Sequence, residues 1–410
     1  MPSLLWVNHF AVTPEQGGGT RHFELGRELV RRGWSVTIGA SDLNLHTRRY
    51  GRRAGAHDTA AFDETIEGVR FRWLWAAPYT RNDWRRARNW LSFSRRVWRW
   101  PDGDAAPDVV IGSSPHLFAA LAAERLAARW GVPFVFEVRD LWPESLVAAG
   151  GRRSPTYVAF DMIARYLYRR ADRVVVLARG SAEYLAGRGV PREKLVFVPN
   201  GVDVTAFAAA ANRPPRETLT LVYTGAHGPA NGLDAVLDAA DRLRDRADLR
   251  FLLVGDGPAK PALVAEAARR GLPNVEFRDP VAKQAMPALL AEADAGLMVL
   301  KEAPLFAFGV SPNKLFDYFG ASLPTVCNVP GEVAAMVRDA GAGEQAADAS
   351  GAALAEAIVR LAARSPAERR RMGEHARAWV AREHGRLTLA ARLDGMLREL
   401  IPPARRHAAA

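Results

Sequence analysis

Short apolar, β-rich runs alternate with helix-forming stretches nearly from end to end of the chain, the pattern of parallel sheets built from βαβ units. In the first half, LLWVNHF from Leu4, WSVTIGAS from Trp34, VRFRWLWA from Val69, DVVIGSS from Asp108, PFVFEVRD from Pro133, RVVVLA from Arg173 and LVFVPNG from Leu195 predict strands. The second half adds LTLVYTG from Leu219, RFLLVGDG from Arg250, VEFRDPV from Val275, AGLMVLK from Ala295 and PTVCNV from Pro324. This order predicts an α/β chain of two doubly wound parallel-sheet domains.

Periodicity stops in VTAFAAAANRPPRET, where the Pro-Pro pair disfavours helix continuation. The expected organisation is therefore a first domain over residues 1–203, a linker over 204–218 and a second domain over 219–385. Residues 386–410 are expected as a helix returning to the first domain and ending in a frayed tail. A length of 410 residues exceeds what one core usually organises, which agrees with two domains. No internal repeat is visible.

The single cysteine, Cys327, lies in the apolar run LPTVCNV and reads as a small buried hydrophobe. No basic segment precedes the short apolar run at the N-terminus, and no stretch is long and apolar enough to span a bilayer, so a cytoplasmic protein is expected. The net charge of +11 points to an anionic partner: nucleic acid, a phosphorylated ligand or an acidic lipid surface. Much of the excess lies in RNDWRRARNWLSFSRRVWRW, residues 81–100, with seven arginines, four tryptophans and one acidic residue, Asp83.

Two stretches could hold phosphate. In EQGGGTRHFELGREL, glycines including Gly18 and Gly19 follow the first strand and precede a helix, so backbone N–H groups could approach an anion at the helix start; a plain loop is the alternative. In GVSPNKLFDYFGASLPTV, Ser311 reads as an N-cap and Pro312 as the first helical residue, which sets the N–H groups of Ser311 to Asn313 at the C-terminal end of the AGLMVLK strand. Lys314 falls in the first turn, where the helix dipole disfavours a cation unless an anion offsets it, and Asp317 lies three residues on. A nucleotide diphosphate and its ribose would use that pair; a surface ion pair is the alternative.

With GGGTRH, EVRDLWPES, VVVLARG, VPNGVD, YTGAHGPANGLDAVL, LLVGDGP and SPNKLFDYFGASLP in this order, the chain resembles a GT-B glycosyltransferase of family 4, in particular the WbuB-like branch of fucosamine and exopolysaccharide transferases. The resemblance implies two Rossmann-like domains facing across a cleft, with C-terminal helices, the acceptor on the first domain and the nucleotide-sugar on the second. It implies a retaining, metal-independent transferase with no cofactor, moving a hexose or N-acetylhexosamine from a donor expected to carry UDP to a sugar or lipid-linked acceptor. It adds Gly225 to the donor residues Gly18, Gly19, Ser311, Pro312, Asn313, Lys314 and Asp317. Two departures from the family pattern stand out. Asp317 occupies the second of two glutamate positions and Gly309 the first, while Ala226 and Asn231 stand where many members carry a diphosphate-binding Arg and Lys. Lys314 becomes the leading cation for the diphosphate, ahead of Arg139, Lys283 and Lys301.

Retention without an obvious nucleophile implies front-face attack, with Lys314 and helix N–H groups stabilising the leaving diphosphate. Asp140, at the end of a strand in VRDLWPES, is the candidate to orient the acceptor or act as base, a structural cap or ion pair being the alternative. His22, Glu137 and Arg139 are weaker candidates for acceptor or sugar hydroxyls, and His227 reads as structural.

On a helical wheel the 81–100 segment collects Arg85, Arg88, Arg95, Arg96 and Arg99 on one arc and Trp90, Leu91, Phe93, Val97, Trp98 and Trp100 across from it. One reading is a crossover helix with its apolar face on a sheet. The other is an interfacial helix with Arg85, Arg88, Trp90, Arg95 and Trp98 facing an anionic membrane, which would make the protein peripheral on the inner face of the cytoplasmic membrane. Nucleic acid is not expected, since no recognisable nucleic-acid module is present. A nucleotide-sugar 2-epimerase of the same fold and a noncatalytic basic binding protein remain as rival functions.

Overall fold

The computed structural model describes residues 1–16, 19–45, 47–81, 83–101, 105–148, 154–214, 216–302 and 309–402. They form two compact units, Met1–Pro199 with the segment from Leu389 onward, and Asn200–Thr388.

The first unit is built on eight strands: β1 Ser3–Val7, β2 Ser35–Ala40, β3 Phe62–Ile66, β4 Val69–Trp73, β5 Val109–Ser113, β6 Phe134–Val138, β7 Arg173–Val176 and β8 Leu195–Phe197. Their order in the sheet is β3-β4-β2-β1-β5-β6-β7-β8, and every pairing is parallel except that of β3 with β4. The central strands are apolar on both sides, as a sheet covered by helices on both faces requires. Trp6, Phe23, Phe71 and Trp73 are among the side chains that fill the core. Leu389, Leu393, Met396 and Leu397 of the last helix, Arg386–Leu400, belong to the same core, and Trp34 Nε1 donates to Asp394 Oδ1 at 2.7 Å.

The second unit has six strands: β9 Leu219–Thr224, β10 Leu249–Val254, β11 Val275–Arg278, β12 Ala295–Met298, β13 Thr325–Cys327 and β14 Gly343–Gln345. All are parallel, in the order β11-β10-β9-β12-β13-β14. Cys327 is fully buried here, and burial pushes its thiol pKa up to about 12, so it behaves as a hydrophobe. The segment read as a linker is folded into this unit: Val204–Phe207 and Ala208–Ala211 form short helical turns, with Phe207 and Ala210 buried. Alanine and phenylalanine between two domains can dock as readily as span, and here they dock.

Two strands escaped the sequence pattern, β3 and β14, both at sheet edges. FDETI in β3 alternates half-buried and exposed positions, so it lacks an apolar run. It is joined to β4 by a two-residue turn in which Glu67 and Gly68 both have positive φ, 46° and 82°, a backbone whose twist suits a tight hairpin. β14 is three half-buried residues, GEQ, too short for any periodicity.

Candidate active site

In the second unit the helix Asn313–Gly320 starts beyond the C-terminal edge of β12 and is anchored by Leu315, Phe316, Tyr318 and Phe319, all fully buried. Tyr318 fixes its rotation, because its hydroxyl accepts from the Thr224 backbone N–H at 2.9 Å at the end of neighbouring β9. Lys314 is thereby turned toward the same strand end. Its Nζ lies 3.8 Å from the centre of the Tyr223 ring, and a Cβ at Gly225 would stand 3.4 Å from both its Cε and its Nζ. The stem of Lys314 is half-buried, but Nζ is enclosed and has no hydrogen-bond partner, and burial lowers its pKa to about 7.

Gly225 has φ 136°, a conformation L side chains rarely adopt, and its carbonyl oxygen would lie 1.8 Å from a Cβ at Gly255. The ends of β9 and β10 therefore approach one another through bare backbone beside the Lys314 ammonium. Such a Gly-lined strand edge lets a ligand reach main-chain groups closely.

Asp317 is buried and bonded to Lys283, whose Nζ donates to both carboxylate oxygens at 2.6 Å. Lys314 and Asp317 thus do not form the surface pair weighed from their spacing: Lys283, from the turn Lys283–Ala285, takes the carboxylate and leaves Lys314 without a counterion among the described residues. Lys301 pairs with Asp234 at 3.2 Å on the surface. Ser311 is not the N-cap. Its Oγ accepts from the Asn200 N–H at 2.8 Å, the cap position falls to Pro312, and the helix begins one residue later than expected, at Asn313, with no side-chain cap on its first turn. His227 is enclosed against Tyr223 and Phe277, as a structural histidine would be.

In the first unit, Asp140 stands just past β6, its carboxyl reached by water and without a hydrogen-bond or ion-pair partner among the described residues. Protein crowded around it raises its pKa, while adjacent Arg139 pulls the other way. The backbone here is held by Ser114, whose Oγ accepts from Arg139 N at 2.8 Å and Asp140 N at 3.3 Å. Arg139 is half-buried, and its Nε has no partner. The cap and ion-pair alternatives for Asp140 are not realised.

Glu137 and His22 are withdrawn from any ligand. Glu137 Oε1 accepts from Arg21 Nε at 2.9 Å, and its Oε2 meets His22 Nε2 at 2.9 Å and Ser113 Oγ at 2.6 Å. Glu137 and His22 are 0% and 1% exposed. Burial alone would raise the Glu137 pKa, but Arg21 and His22 reverse it and hold the carboxylate ionised well below the usual range. Burial also dominates at His22, lowering its pKa to about 4 against the pull of Glu137. The expectation that these two meet sugar hydroxyls fails because their bond to each other, with the Arg21 guanidinium on Glu137, satisfies them inside the fold.

Of the glycine-rich turn, Gly18 lies outside the described residues, while Gly19 is exposed just before the helix Arg21–Arg31. That helix carries its own acid in the first turn, Glu24, bonded to the Thr20 hydroxyl.

Sequence reasoning missed His9 and His116, which follow β1 and β5 at the same sheet edge as Asp140. His9 stacks on Phe93 with ring centres 4.1 Å apart, and His116 meets His9 and Trp90 edge-on at 4.9 and 5.2 Å. Both nitrogens of His116 are buried without a partner. Their strand-end positions in NHF and SSPH were the available signal.

The basic segment forms the helix Trp84–Trp98, capped by Asp83, which accepts from Arg85 N at 2.8 Å. It packs inward with Asn89, Phe93, Ser94 and Val97. Trp90, expected to face a membrane, points into the aromatic cluster of His116, Trp142 and Phe160 instead. Trp98 does face outward, joined by Trp84 and Leu91; Arg85, Arg88 and Arg95 are exposed as expected. The wheel could not say which part of the apolar arc the sheet would take: Phe93 and Val97 go inside, while Leu91 and Trp98 stand exposed beside the arginines.

Among the described residues no three His, Cys, Asp or Glu side chains gather as a metal site, and no helix is long and apolar enough to cross a membrane.

Comparison with known proteins agrees with this architecture. Residues 16–201 match the glycosyl transferase 4-like domain family, and residues 218–364 match glycosyl transferases group 1. The putative colanic acid biosynthesis glycosyl transferase WcaI of Escherichia coli K12 is 31% identical over 226 residues, which is 51% of this chain and 54% of that protein, so the chain spans about half the length of this relative. Among solved structures, sucrose-phosphate synthase from Thermosynechococcus elongatus superposes with a TM-score of 0.72 at 17% identity, covering 98% of this chain and 99% of its own. HepE from Anabaena, in complex with UDP and glucose, gives 0.68 at 15% identity, covering 98% and 100%. Two parallel-sheet units, two matched domains and shared architecture over nearly the whole chain lead to one assignment: the chain belongs to the GT-B glycosyltransferases of family 4.

Proposed function

We propose that the protein is a retaining glycosyltransferase of polysaccharide or glycoconjugate biosynthesis, taking a hexose or N-acetylhexosamine from a UDP-sugar to a sugar or lipid-linked acceptor. The observation that carries this reading is Lys314. A buried ammonium with no carboxylate is costly to keep unless an anion completes the site, and it lies at the strand edge where α/β sheets bind ligands. A nucleotide diphosphate supplies that anion and would meet the uncapped first turn at Asn313 and the bare backbone of Gly225 on the way.

When the sugar–phosphate bond breaks, negative charge grows on the leaving diphosphate. Fixed dipoles and a desolvated cation stabilise it most at that moment, which is what lowers the barrier. This assigns to Lys314 the charge neutralisation that a divalent cation would otherwise supply. Asp317 is assigned to the ribose hydroxyls, with Lys283 holding the carboxylate in place. Asp140 is assigned to the acceptor, its partner-free carboxyl available to orient a hydroxyl or take its proton. The motifs EVRDLWPES and SPNKLFDY favour the fucosamine-transferase-like branch of the family. The UDP bound in the related fold of HepE supports the choice of nucleotide.

A thermal-shift panel of nucleotide-sugars tests this. A UDP-sugar should stabilise the protein, and Asp317→Ala should abolish the shift. Absence of a shift with every nucleotide-sugar would end the proposal.

A further inference from the structure

Six of the ten large apolar side chains most exposed among the described residues belong to three segments of the first unit, and three of the six lie on the helix Trp84–Trp98 alone. Trp84, Leu91 and Trp98 are 64%, 55% and 62% exposed. Their spacing of seven residues places them one above another on the outer face, opposite the Phe93 and Val97 stripe that enters the core. Arg88, Arg95 and Arg99 run along the flank of this ridge, all exposed and none with a side-chain hydrogen bond or ion pair among the described residues. Arg85 is exposed too, but Asp83 takes its guanidinium at 2.8 Å.

Neither half of this surface explains itself. The core needs only the inner face, and two solvent-exposed tryptophans on one helix cost solubility with no return in packing. A solubilising basic face would not need an apolar ridge, and unpaired arginines beside one another repel. Tryptophan rings are at home at the depth of lipid headgroups, and arginines beside them pair with anionic lipid, so the ridge and the flank have one common complement.

We propose that the outer face of Trp84–Trp98 docks on an anionic lipid bilayer, with Trp84, Leu91 and Trp98 entering the headgroup boundary and Arg88, Arg95 and Arg99 contacting acidic headgroups. The docking face is thus Trp84 and Leu91 with Trp98, not Trp90, which the aromatic cluster has claimed. The helix would lie in the interface plane without crossing it. It deepens the proposed function by giving a lipid-linked acceptor a place to be met, and rests on that reading for its purpose but not for its existence.

The full chain is to be co-sedimented with vesicles of phosphatidylcholine alone and with about 30% phosphatidylglycerol, without any nucleotide-sugar. Binding is expected to the acidic vesicles only and to weaken as salt rises. Replacing Arg88, Arg95 and Arg99 together by Gln should lower the partition coefficient about a hundredfold. Trp84→Ser with Leu91→Ser and Trp98→Ser should lower it comparably while leaving the melting temperature unchanged, since all three side chains face outward. No binding to acidic vesicles, or binding that neither variant changes, overturns the proposal. So does a concentration-dependent dimer that the serine variant makes monomeric, because the ridge would then belong to a second copy. A UDP-sugar shift that persists while vesicle binding fails would sink the docking face and leave the enzymatic reading standing.

Discussion

The Lys314 ammonium lies 3.8 Å from the centre of the Tyr223 ring, so this buried cation meets an aromatic face and, among the described residues, no hydrogen-bond acceptor. Such a contact offsets part of the desolvation, not all of it, and the Lys314 pKa falls to about 7. An unfolded lysine keeps its proton to about pH 10.4, so between pH 7 and that value the unfolded chain binds one more proton than the folded one. Folding stability should therefore rise with pH across this window by about 1.4 kcal/mol per unit from this residue alone. Lys314→Met should flatten the slope and stabilise the protein at pH 6, where the wild type carries the full cost. Denaturant melts at pH 6, 7, 8 and 9 check both, and equal slopes in the two proteins would refute the burial of this charge.

The same proton should appear in donor binding. A diphosphate raises the pKa of Lys314, so binding near pH 8 should take up a proton and weaken as pH rises above 7. Calorimetry in buffers of different ionisation enthalpy reads this directly. Proton uptake should vanish in Lys314→Met along with most of the affinity.

Gly225 should tolerate no side chain. Alanine there must hold φ 136° and would crowd Lys314 Cε and Nζ at 3.4 Å. The strain should cost about 1–3 kcal/mol of stability. UDP-sugar affinity should fall about tenfold or more, because the backbone approach to the ammonium is closed. A Gly225→Ala protein that binds donor normally would move the diphosphate away from this edge.

Acid should unfold the protein from an unusually high pH. His9 and His22 have pKa values lowered to about 3 and about 4, first by burial, and burial also holds His116 well below its ordinary value. All three stay neutral in the folded chain while the unfolded chain protonates them near pH 6.5. Stability should then fall as pH drops from about 6.5 toward 4, by about 1.4 kcal/mol per pH unit for each histidine. His116→Phe, which suits the aromatic cluster, should remove one proton from this slope. A flat profile between pH 7 and 5 would contradict the burial of these rings.

Much of this was legible in the sequence wherever a run of apolar residues fixed a buried strand. Every expected strand is present, because alternation of strand and helix patterns leaves few other ways to bury them. The helix bearing Lys314 was also legible, but its charge partner was not: Lys283 lies 31 residues before Lys314 in the chain, and only the fold brings it to Asp317. Likewise nothing local reveals that Glu137 spends its charge on Arg21 and His22, since residue type and strand-end position read the same for a ligand-binding acid and a buried one. Trp90 and Trp98 carry the same side chain on one helix; the neighbours, not the spacing, decide which goes inside.

Glu137 supplies the sharpest test of that distinction. If it served an acceptor, Glu137→Gln would weaken activity and leave stability almost unchanged. In the fold, the substitution removes the charge that Arg21 pairs with while its bonds to the carbonyls of Val198 and Pro199 stay, and it takes an acceptor oxygen from His22 and the Ser113 hydroxyl. Breaking one side of a buried charge pair costs about 3–5 kcal/mol, so the variant should unfold at markedly lower denaturant. The wild-type contribution needs Glu137 ionised in the folded state: it is complete above the unfolded carboxylate pKa near 4.3 and lost as pH falls toward the depressed folded value. Asp140→Asn, at the open carboxyl three residues on, should do the reverse, leaving stability and UDP-sugar binding intact while slowing transfer about a hundredfold or more. Loss of stability in Asp140→Asn, or none in Glu137→Gln, would exchange the roles assigned to the two acids.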